Sequence, residues 1–288
     1  MRRRTLPGVL AAAAVLVAAP HAGAASTDGA AASRAAAWLA ANSRTAPAGQ
    51  QADAIVALRA AGRSRAFLRG RATALARTAP AYATTAGAAA KVAMAAVASG
   101  RNPAAFGGVD YLRRITNRYA AGRYGATAWD QALSLLALRA AGRTVPPAAV
   151  RATLAARGSG GWSFDLRPRS RDAVDTTAIV VEALVASGVR RSDRRLAAGT
   201  RWMLAQRNRA GGVATAGGGA PTDANSTAGA IRALRATGRR PPASMRAALR
   251  SLQAPNGSVR YSRAAAGSPL LATNDALIAF SGRWLPVR

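Results

Sequence analysis

An internal repeat constrains this sequence more than any other feature. Six apolar, alanine-rich segments of similar length each end at a glycine, and these glycines lie 38, 42, 46, 50 and 44 residues apart. A regular period of about 20–50 residues is typical of folds built from stacked supersecondary units. The repeat therefore predicts one fold made of similar units. The segments span residues 52–62, 90–100, 130–142, 175–188, 225–238 and 274–282.

Each apolar segment is predicted to form one helix of an inner layer. The segments open with polar or small residues, which can cap the free N–H groups of a helix, and glycine supplies a left-handed C-cap. Apolar residues surround each helix axis almost completely, as expected for a buried helix. Asp53, Asp130, Asp175, Asp223 and Asp275 lie at or near these starts, where capping and the helix dipole would favour them.

More polar segments alternate with the apolar ones and are predicted to form an outer layer. Their apolar residues recur at helical spacing, as in Leu196, Trp202 and Met203. Six inner–outer pairs predict an all-α fold, an α/α toroid of about six helix hairpins, with an open helical solenoid as the alternative. The predicted outer helices are Ala31–Asn42, Arg65–Arg77, Ala104–Tyr119, Pro147–Ala156, Arg194–Arg207 and Ala243–Gln253.

The connections between helices are asymmetric. A short Gly-Arg link follows each of the first three inner segments, as at Gly62 and Gly142. By contrast, long loops over residues 157–171, 208–222 and 254–272 follow the later outer helices. Elaborated loops on a rigid scaffold usually mark the functional face. The inner-helix starts and the long loops are therefore expected to form a functional rim around a central mouth.

The N-terminus has the pattern of a secretory signal peptide. Arg2–Arg4 form a basic region, residues 6–19 are largely apolar, and Ala22-Gly23-Ala24 fits a small-residue cleavage site. Residues 1–24 are therefore predicted to be removed, which leaves residues 25–288 as one secreted domain. No later stretch reaches the roughly 18 apolar residues that a transmembrane span requires.

Charge and missing residue types exclude several functions. The chain carries 41 Lys and Arg against 11 Asp and Glu, contains no Cys, and has one His, which lies in the predicted signal peptide. The mature chain would then hold no thiol nucleophile and no Cys- or His-ligated zinc. We expect neither a metal nor a cofactor. Arginine is scattered along the sequence, so compositional bias is the favoured explanation of the charge, with non-specific polyanion contact as the alternative.

Several repeats carry motifs that resemble the terpenoid cyclase and protein prenyltransferase α/α-toroid superfamily. Residues 158–164 (GSGGWSF) followed by 172–178 (DAVDTTA) look like one repeat of squalene cyclase-like proteins, and residues 199–206 with Gly211-Gly212 are similar to the QW repeat of that family. The same toroid occurs in cobalamin carriers. The resemblance covers about residues 30–285 and implies a ligand such as an isoprenoid or a corrinoid.

Departures from the family pattern bear on activity. Class II cyclases carry Asp-x-Asp-Asp-Thr, in which the central aspartic acid donates a proton; Asp172, Asp175 and Thr176 match that pattern, but Val174 occupies the donor position. Valine has no proton to give. The zinc site of protein prenyltransferases requires Cys and His and is missing as well. Catalysis is therefore not expected, and Asp172 and Asp175, three residues apart, are the catalytic candidates if the protein is an enzyme.

The leading hypothesis is a secreted, monomeric toroid that binds a small hydrophobic or amphipathic ligand at its mouth without catalysis. A concave apolar site with a few convergent polar groups is the usual form of such a site. A divergent cyclase-like enzyme and an arginine-rich, polyanion-binding envelope protein are the alternatives. Glu182, in the middle of a helix, is expected to pair with an arginine. The predicted ligand-binding residues are Trp129, Asp130, Trp162, Phe164, Asp175, Asp223, Asn225 and Asp275.

Overall fold

The computed structural model describes residues 27–287, so the predicted signal peptide lies outside the described residues. Within that range the chain forms helices joined by turns and isolated bridges and contains no strand, which confirms the all-α prediction. The helices are α1 (Thr27–Asn42), α2 (Ala48–Ala60), α3 (Arg65–Tyr82), α4 (Ala86–Ala98), α5 (Tyr111–Thr116), α6 (Ala128–Ala140), α7 (Pro147–Ala155), α8 (Val174–Ala186), α9 (Arg194–Ala205), α10 (Ala224–Ala236), α11 (Ala243–Arg250) and α12 (Pro269–Phe280).

The even-numbered helices close into a ring. Helices α2, α4, α6, α8, α10 and α12 each pack against the next, and α12 packs against α2. The odd-numbered helices lie outside this ring, and α1 contacts α12, α2 and α11. This closure distinguishes an α/α toroid from an open solenoid and confirms the predicted architecture. Small alanine side chains face the helix contacts; Ala89, Ala93 and Ala96 in α4 are fully buried.

All six inner helices end in the same way. The glycine that follows each one has φ between 71° and 94°, a conformation that residues with a Cβ rarely adopt. The next backbone N–H donates to a carbonyl five residues earlier, as Arg63 does to Leu58 and Arg283 to Ile278, which is the Schellman arrangement. These ends form one side of the toroid, here called the plain rim. The opposite side, with the inner-helix starts, is the loop rim.

The helix starts differ from the prediction. Among the five aspartates expected to cap inner helices, Asp223 alone does so: its carboxylate accepts the N–H of Ser226 at 2.7 Å. Helix α6 is capped by Thr127, which precedes Asp130 and accepts its N–H. The inner helices therefore begin one to five residues before the predicted starts, and the remaining aspartates lie inside them.

The predicted outer helix Ala104–Tyr119 is much shorter in the structure. It forms only as α5, because Gly107 and Gly108 both have positive φ and Asp110 caps the helix through the N–H of Arg113. The stretch before it, residues 104–108 (AAFGG), forms a turn, because a helix cannot run through two consecutive glycines in the left-handed conformation.

A repeated threonine contact fixes the long loops to the inner helices. Thr177, Thr227 and Thr273 each accept the backbone N–H of a loop residue fourteen or fifteen positions earlier, at 2.8–3.1 Å. The partners are Trp162, Val213 and Val259, all fully buried. This device holds each loop over the start of α8, α10 or α12 and so positions the loop rim around the centre of the ring.

Candidate functional site

A cavity of about 380 Å³ lies in the centre of the ring. Thr215 and Tyr261, from two of the long loops, line its mouth at the loop rim, and Tyr261 is 38% exposed. Leu285, which follows α12, closes the opposite end and is buried. The volume falls within the range of small-molecule sites, about 300–1,000 Å³. The chain therefore forms a concave site that opens toward its elaborated loops, as the loop asymmetry predicted.

At one level, that of the sixth residue of each inner helix, the wall of the cavity has a polar half and an apolar half. The sixth residue of every inner helix faces it, and these residues divide by position around the ring. Helices α12, α2 and α4 contribute polar residues, whereas α6, α8 and α10 contribute Leu133, Ile179 and the side-chain-free Gly229. The polar residues lie on three adjacent helices and the apolar residues on the three opposite ones. An amphipathic ligand would therefore have one preferred orientation in the cavity. The polar residues at this level are Asn274, Asp53 and Lys91.

Lys91 and Asp53 form an ion pair in the polar half. The ammonium Nζ lies 2.7 Å from Oδ2 of Asp53, and both side chains are about one quarter exposed. Burial by itself lowers the pKa of Lys91, but the charge and hydrogen bond of Asp53 outweigh it and raise the pKa above its ordinary value. The lysine therefore stays protonated and ion-paired with Asp53, so both charges at this level of the wall are neutralised within the protein.

A second charged network lies deeper. Arg232 is 3% exposed and donates to Glu182 at 3.1 Å and to Asp275 at 2.8 Å. Asn225 donates to the second oxygen of Asp275 at 2.7 Å, and the N–H of Leu285 donates to Glu182 at 2.7 Å. Glu182 thus pairs with an arginine, as expected. Although burial lowers the pKa of Arg232, the two carboxylates outweigh it and raise that pKa.

Asp175 differs from the other carboxylates of the cavity. It lines the wall near the mouth, and Oδ1 accepts the backbone N–H of Thr176 at 2.7 Å, but no arginine or lysine of the described chain forms an ion pair with it. Burial raises its pKa above the ordinary 3.8, and the charge of Asp223 adds to that effect. Asp175 is therefore a cavity carboxyl without a cationic partner in the described chain, and it holds its proton to higher pH than an exposed aspartate.

Four predicted binding residues line the cavity and four do not. Trp129, Asp175, Asn225 and Asp275 lie in its wall. The others have structural partners or face solvent, because the long loops fold back over the helix starts. Trp162 is fully buried and donates its indole N–H to Thr153 at 2.7 Å; Phe164 is 57% exposed; Asp130 accepts the N–H of Gly87 at 2.9 Å; Asp223 caps α10.

Asp172 and Asp175 do not share a site. Oδ2 of Asp172 accepts the N–H groups of Gly160 and Gly161 at 2.8 and 2.9 Å, so this carboxylate fixes the loop before α8. Val174 is fully buried and contributes nothing to the cavity wall. The position that faces the cavity in this repeat is thus Asp175. Among residues 27–287, no three His, Cys, Asp or Glu side chains are grouped so as to hold a metal ion.

Sequence reasoning missed several residues of the wall. Lys91, Met94 and Arg232 face the cavity from the second and third turns of their helices. The prediction looked only at helix starts, where capping residues concentrate. The available signal was a charged or amide side chain inside an otherwise apolar segment, since such a residue requires a buried partner or a ligand. No helix within residues 27–287 is both long and apolar enough to cross a membrane.

The closed double ring of helices around a central cavity defines an α/α toroid. The sequence matches no protein-family model and no curated protein. Among solved structures, the fold is similar to the type II terpene cyclase MstE from Scytonema, with a TM-score of 0.62 and 14% identity over 88% of this chain and 97% of that one. A variant of MstE in complex with its substrate, geranylgeranyl dihydroxybenzoate, is also similar, with a TM-score of 0.60, 14% identity, and coverage of 88% and 98%.

The ent-copalyl diphosphate synthase from Streptomyces platensis is similar as well. The TM-score is 0.52 and the identity 18%, over 82% of this chain and 50% of that one. At such identities the likeness establishes the fold, and function has to be argued from the site.

Proposed function

We propose that this protein binds an isoprenoid-type ligand in the central cavity. The observation that carries the proposal is the divided wall: at the level of the sixth helix residue, an apolar side on α6, α8 and α10 faces a polar side on α12, α2 and α4. Within the described chain the charges of the wall are paired except for Asp175, which lies nearer the mouth on α8. Such a wall suits a hydrocarbon chain with one polar group. The substrate complex of MstE supports the choice of an isoprenoid, because that ligand carries a geranylgeranyl chain.

A thermal-shift series tests this function. We expect farnesol or geranylgeraniol to raise the melting temperature, because a ligand that binds only the folded state stabilises it, by about 2.7 kcal/mol at one hundred times its dissociation constant. Cobinamide and a neutral oligosaccharide test the corrinoid and glycan classes. Ile179→Phe, which fills the apolar half, should remove the response, whereas Leu204→Phe on the outer helix α9 should keep it. A chain that responds to neither prenol would contradict the proposal.

A second function is favoured by Asp175, namely proton-initiated cyclisation of the bound chain. A carboxyl with raised pKa in an apolar cavity can act as a general acid. Incubation with geranylgeranyl dihydroxybenzoate or squalene, followed by product analysis, tests it. Turnover that disappears in Asp175→Asn and persists in Asp165→Asn, a surface control, would establish catalysis. Binding without turnover in the unaltered protein would leave the cavity a non-catalytic site.

The plain rim supports the proposal of non-specific polyanion contact. An arginine follows each of the six inner-helix glycines directly or after one residue, all six are exposed, and none forms an ion pair within the described chain. Because the inner helices point the same way, these arginines lie on one side of the toroid. They are Arg63, Arg101, Arg143, Arg190, Arg239 and Arg283.

Export is the remaining part of the proposal. The basic start and the Ala22-Gly23-Ala24 site support cleavage and secretion. Mass analysis of the N-terminus of protein recovered from the growth medium should find a mature chain beginning near Ala25, and an intact Met1 in a cell-retained protein would contradict export.

A further inference from the structure

Asn274 is an unpaired polar residue inside the cavity. It lies in the second turn of α12, lines the wall, and is 2% exposed. Neither its Oδ1 nor its Nδ2 has a hydrogen-bond partner in the described chain. A buried amide without partners costs roughly 1–3 kcal/mol of stability. The side chain therefore holds one acceptor and two donor N–H groups without partners in the wall of the cavity.

The surrounding polar groups do not share this property. Asn225, also in the wall, donates to Asp275 at 2.7 Å, and Asp275 in turn accepts from Arg232. Lys91 and Asp53 are paired with each other. Asn274 thus stands out among residues whose hydrogen bonds are made within the protein, and its orphaned amide has no structural use that would explain an asparagine there.

The charges of the wall indicate what kind of group the amide can receive. Asp53, Asp175 and Asp275 line the cavity, against Lys91 and Arg232. Both cations are already paired with carboxylates, so a diphosphate or carboxylate would enter a site without an available counter-ion, at a large desolvation cost. A neutral group avoids that cost. A carboxamide that offers both a donor and an acceptor matches a hydroxyl, which has one of each.

Position supports the same assignment. Asn274 lies in the polar half, about one helical turn below the mouth of the cavity, a depth of roughly 5 Å. Across the ring from it, Leu133 and Ile179 form the apolar half. A chain that rests on these two residues and ends in a hydroxyl would satisfy the amide without disturbing the ion pairs.

We propose that Asn274 is a specificity-determining residue that binds the hydroxyl group of a neutral isoprenoid alcohol and so selects it over a hydrocarbon of the same length. This inference rests on the proposed function, since it requires an isoprenoid in the cavity. It adds the chemistry of the polar group and the residue that recognises it.

The test compares farnesol with farnesene, which has the same fifteen-carbon skeleton and no hydroxyl. Dissociation constants can be followed through tryptophan fluorescence, because Trp129 lines the cavity. The unaltered protein should bind farnesol about tenfold more tightly than farnesene. Asn274→Leu, which keeps a similar shape and removes the hydrogen-bonding atoms, should weaken farnesol binding about tenfold and leave farnesene binding unchanged or slightly tighter.

Ile278→Val provides the matched control. It lines the same cavity one turn further along α12 and loses one methylene. It should weaken both ligands by similar factors and preserve their ratio. Farnesyl diphosphate should bind more weakly than farnesol to every variant that retains the cavity.

The outcomes separate the two proposals. If neither farnesol nor farnesene binds, the proposed function fails, and this inference fails with it. If both bind and the farnesol-to-farnesene ratio is the same in the unaltered protein and in Asn274→Leu, the isoprenoid site stands and the role of Asn274 is overturned.

Discussion

The wall of the central cavity and the outer surface have opposite charge balances. Three carboxylates and two cations line the cavity, whereas the whole chain has 41 basic and 11 acidic residues. Burying an arginine costs several kcal/mol unless carboxylates compensate it, so Arg232 enters the interior only together with Glu182 and Asp275. The surface imposes no such condition. Overall composition therefore describes the exterior of this protein and says little about the charge of its ligand.

Removal of the buried cation is the strongest test of this difference between interior and surface. Arg232→Met leaves Glu182 and Asp275 without their counter-ion and should lower the free energy of unfolding by about 3–5 kcal/mol. Arg143→Met, at the exposed plain rim, should change it by less than about 0.5 kcal/mol. Urea unfolding at pH 7 measures both. Equal effects at the two sites would show that interior and surface arginines are energetically alike.

The salt dependence of heparin binding tests the role of the arginines at the plain rim. If six rim arginines contact a polyanion, heparin affinity should fall by about 10³ between 50 and 200 mM salt. Replacing Arg63, Arg143 and Arg283 by glutamine should flatten that dependence. Farnesol in the cavity should leave heparin affinity unaltered, because the paired charges of the wall do not reach the rim; a change of more than a few-fold would argue that the two regions are coupled.

Asp28 is an exception on the outer layer, and it predicts a moderate effect. Its carboxylate accepts hydrogen bonds from Arg246 at 2.9 Å and from Arg250. These two ion pairs join α1 to α11, where the ring closes. Burial raises the pKa of Asp28, but the two arginines outweigh it and lower the pKa below 3.8. The pair therefore stabilises the fold above pH 3.8, and this contribution is lost as the pH falls below that value.

Asp28→Asn should accordingly lower stability by about 1–2 kcal/mol at pH 7 and by less near pH 2. Melting temperatures of the two proteins across that range provide the measurement. A deficit that is as large at pH 2 as at pH 7 would mean that the asparagine costs packing and not charge. Asp110→Ala, at the start of α5, removes an ordinary N-cap and serves as the comparison.

Replacing Asp175 is expected to have the smallest effect on stability, and this effect has the opposite sign to the others. Since burial raises its pKa in the folded state, the unfolded chain releases this proton more readily, and stability falls as the pH rises from 3.8 through the raised pKa. Asp175→Asn cannot ionise. It should be more stable than the unaltered protein at pH 7, and the difference should vanish near pH 3. A stability difference between the two proteins that is the same at pH 3 and pH 7 would refute the raised pKa.

Much of the fold was predictable because its signals are local. Glycine after each apolar segment supplies positive φ, and an alanine-rich face lets helices approach closely, so six inner helices could be placed from the sequence. Helix starts depend on caps that the sequence does not single out: Thr127 and Ser268 cap α6 and α12 from positions that resemble ordinary loop residues. Trp162 and Phe164 lie two residues apart in one motif, yet Trp162 is fully buried and Phe164 is 57% exposed, because their positions depend on how the loop folds back.

The sequence by itself determined the repeat, the helical layers and the absence of cysteine, because these follow from residue type and spacing along the chain. Only the tertiary structure decided that Asp175 faces the cavity while Asp172 secures a loop, and that Lys91 and Arg232 are neutralised by carboxylates. It also decided that Asn274 has no hydrogen-bond partner among the described residues. The physical reason is that each of these properties depends on a neighbour contributed by another helix or loop, so closure of the ring had to bring the partners together.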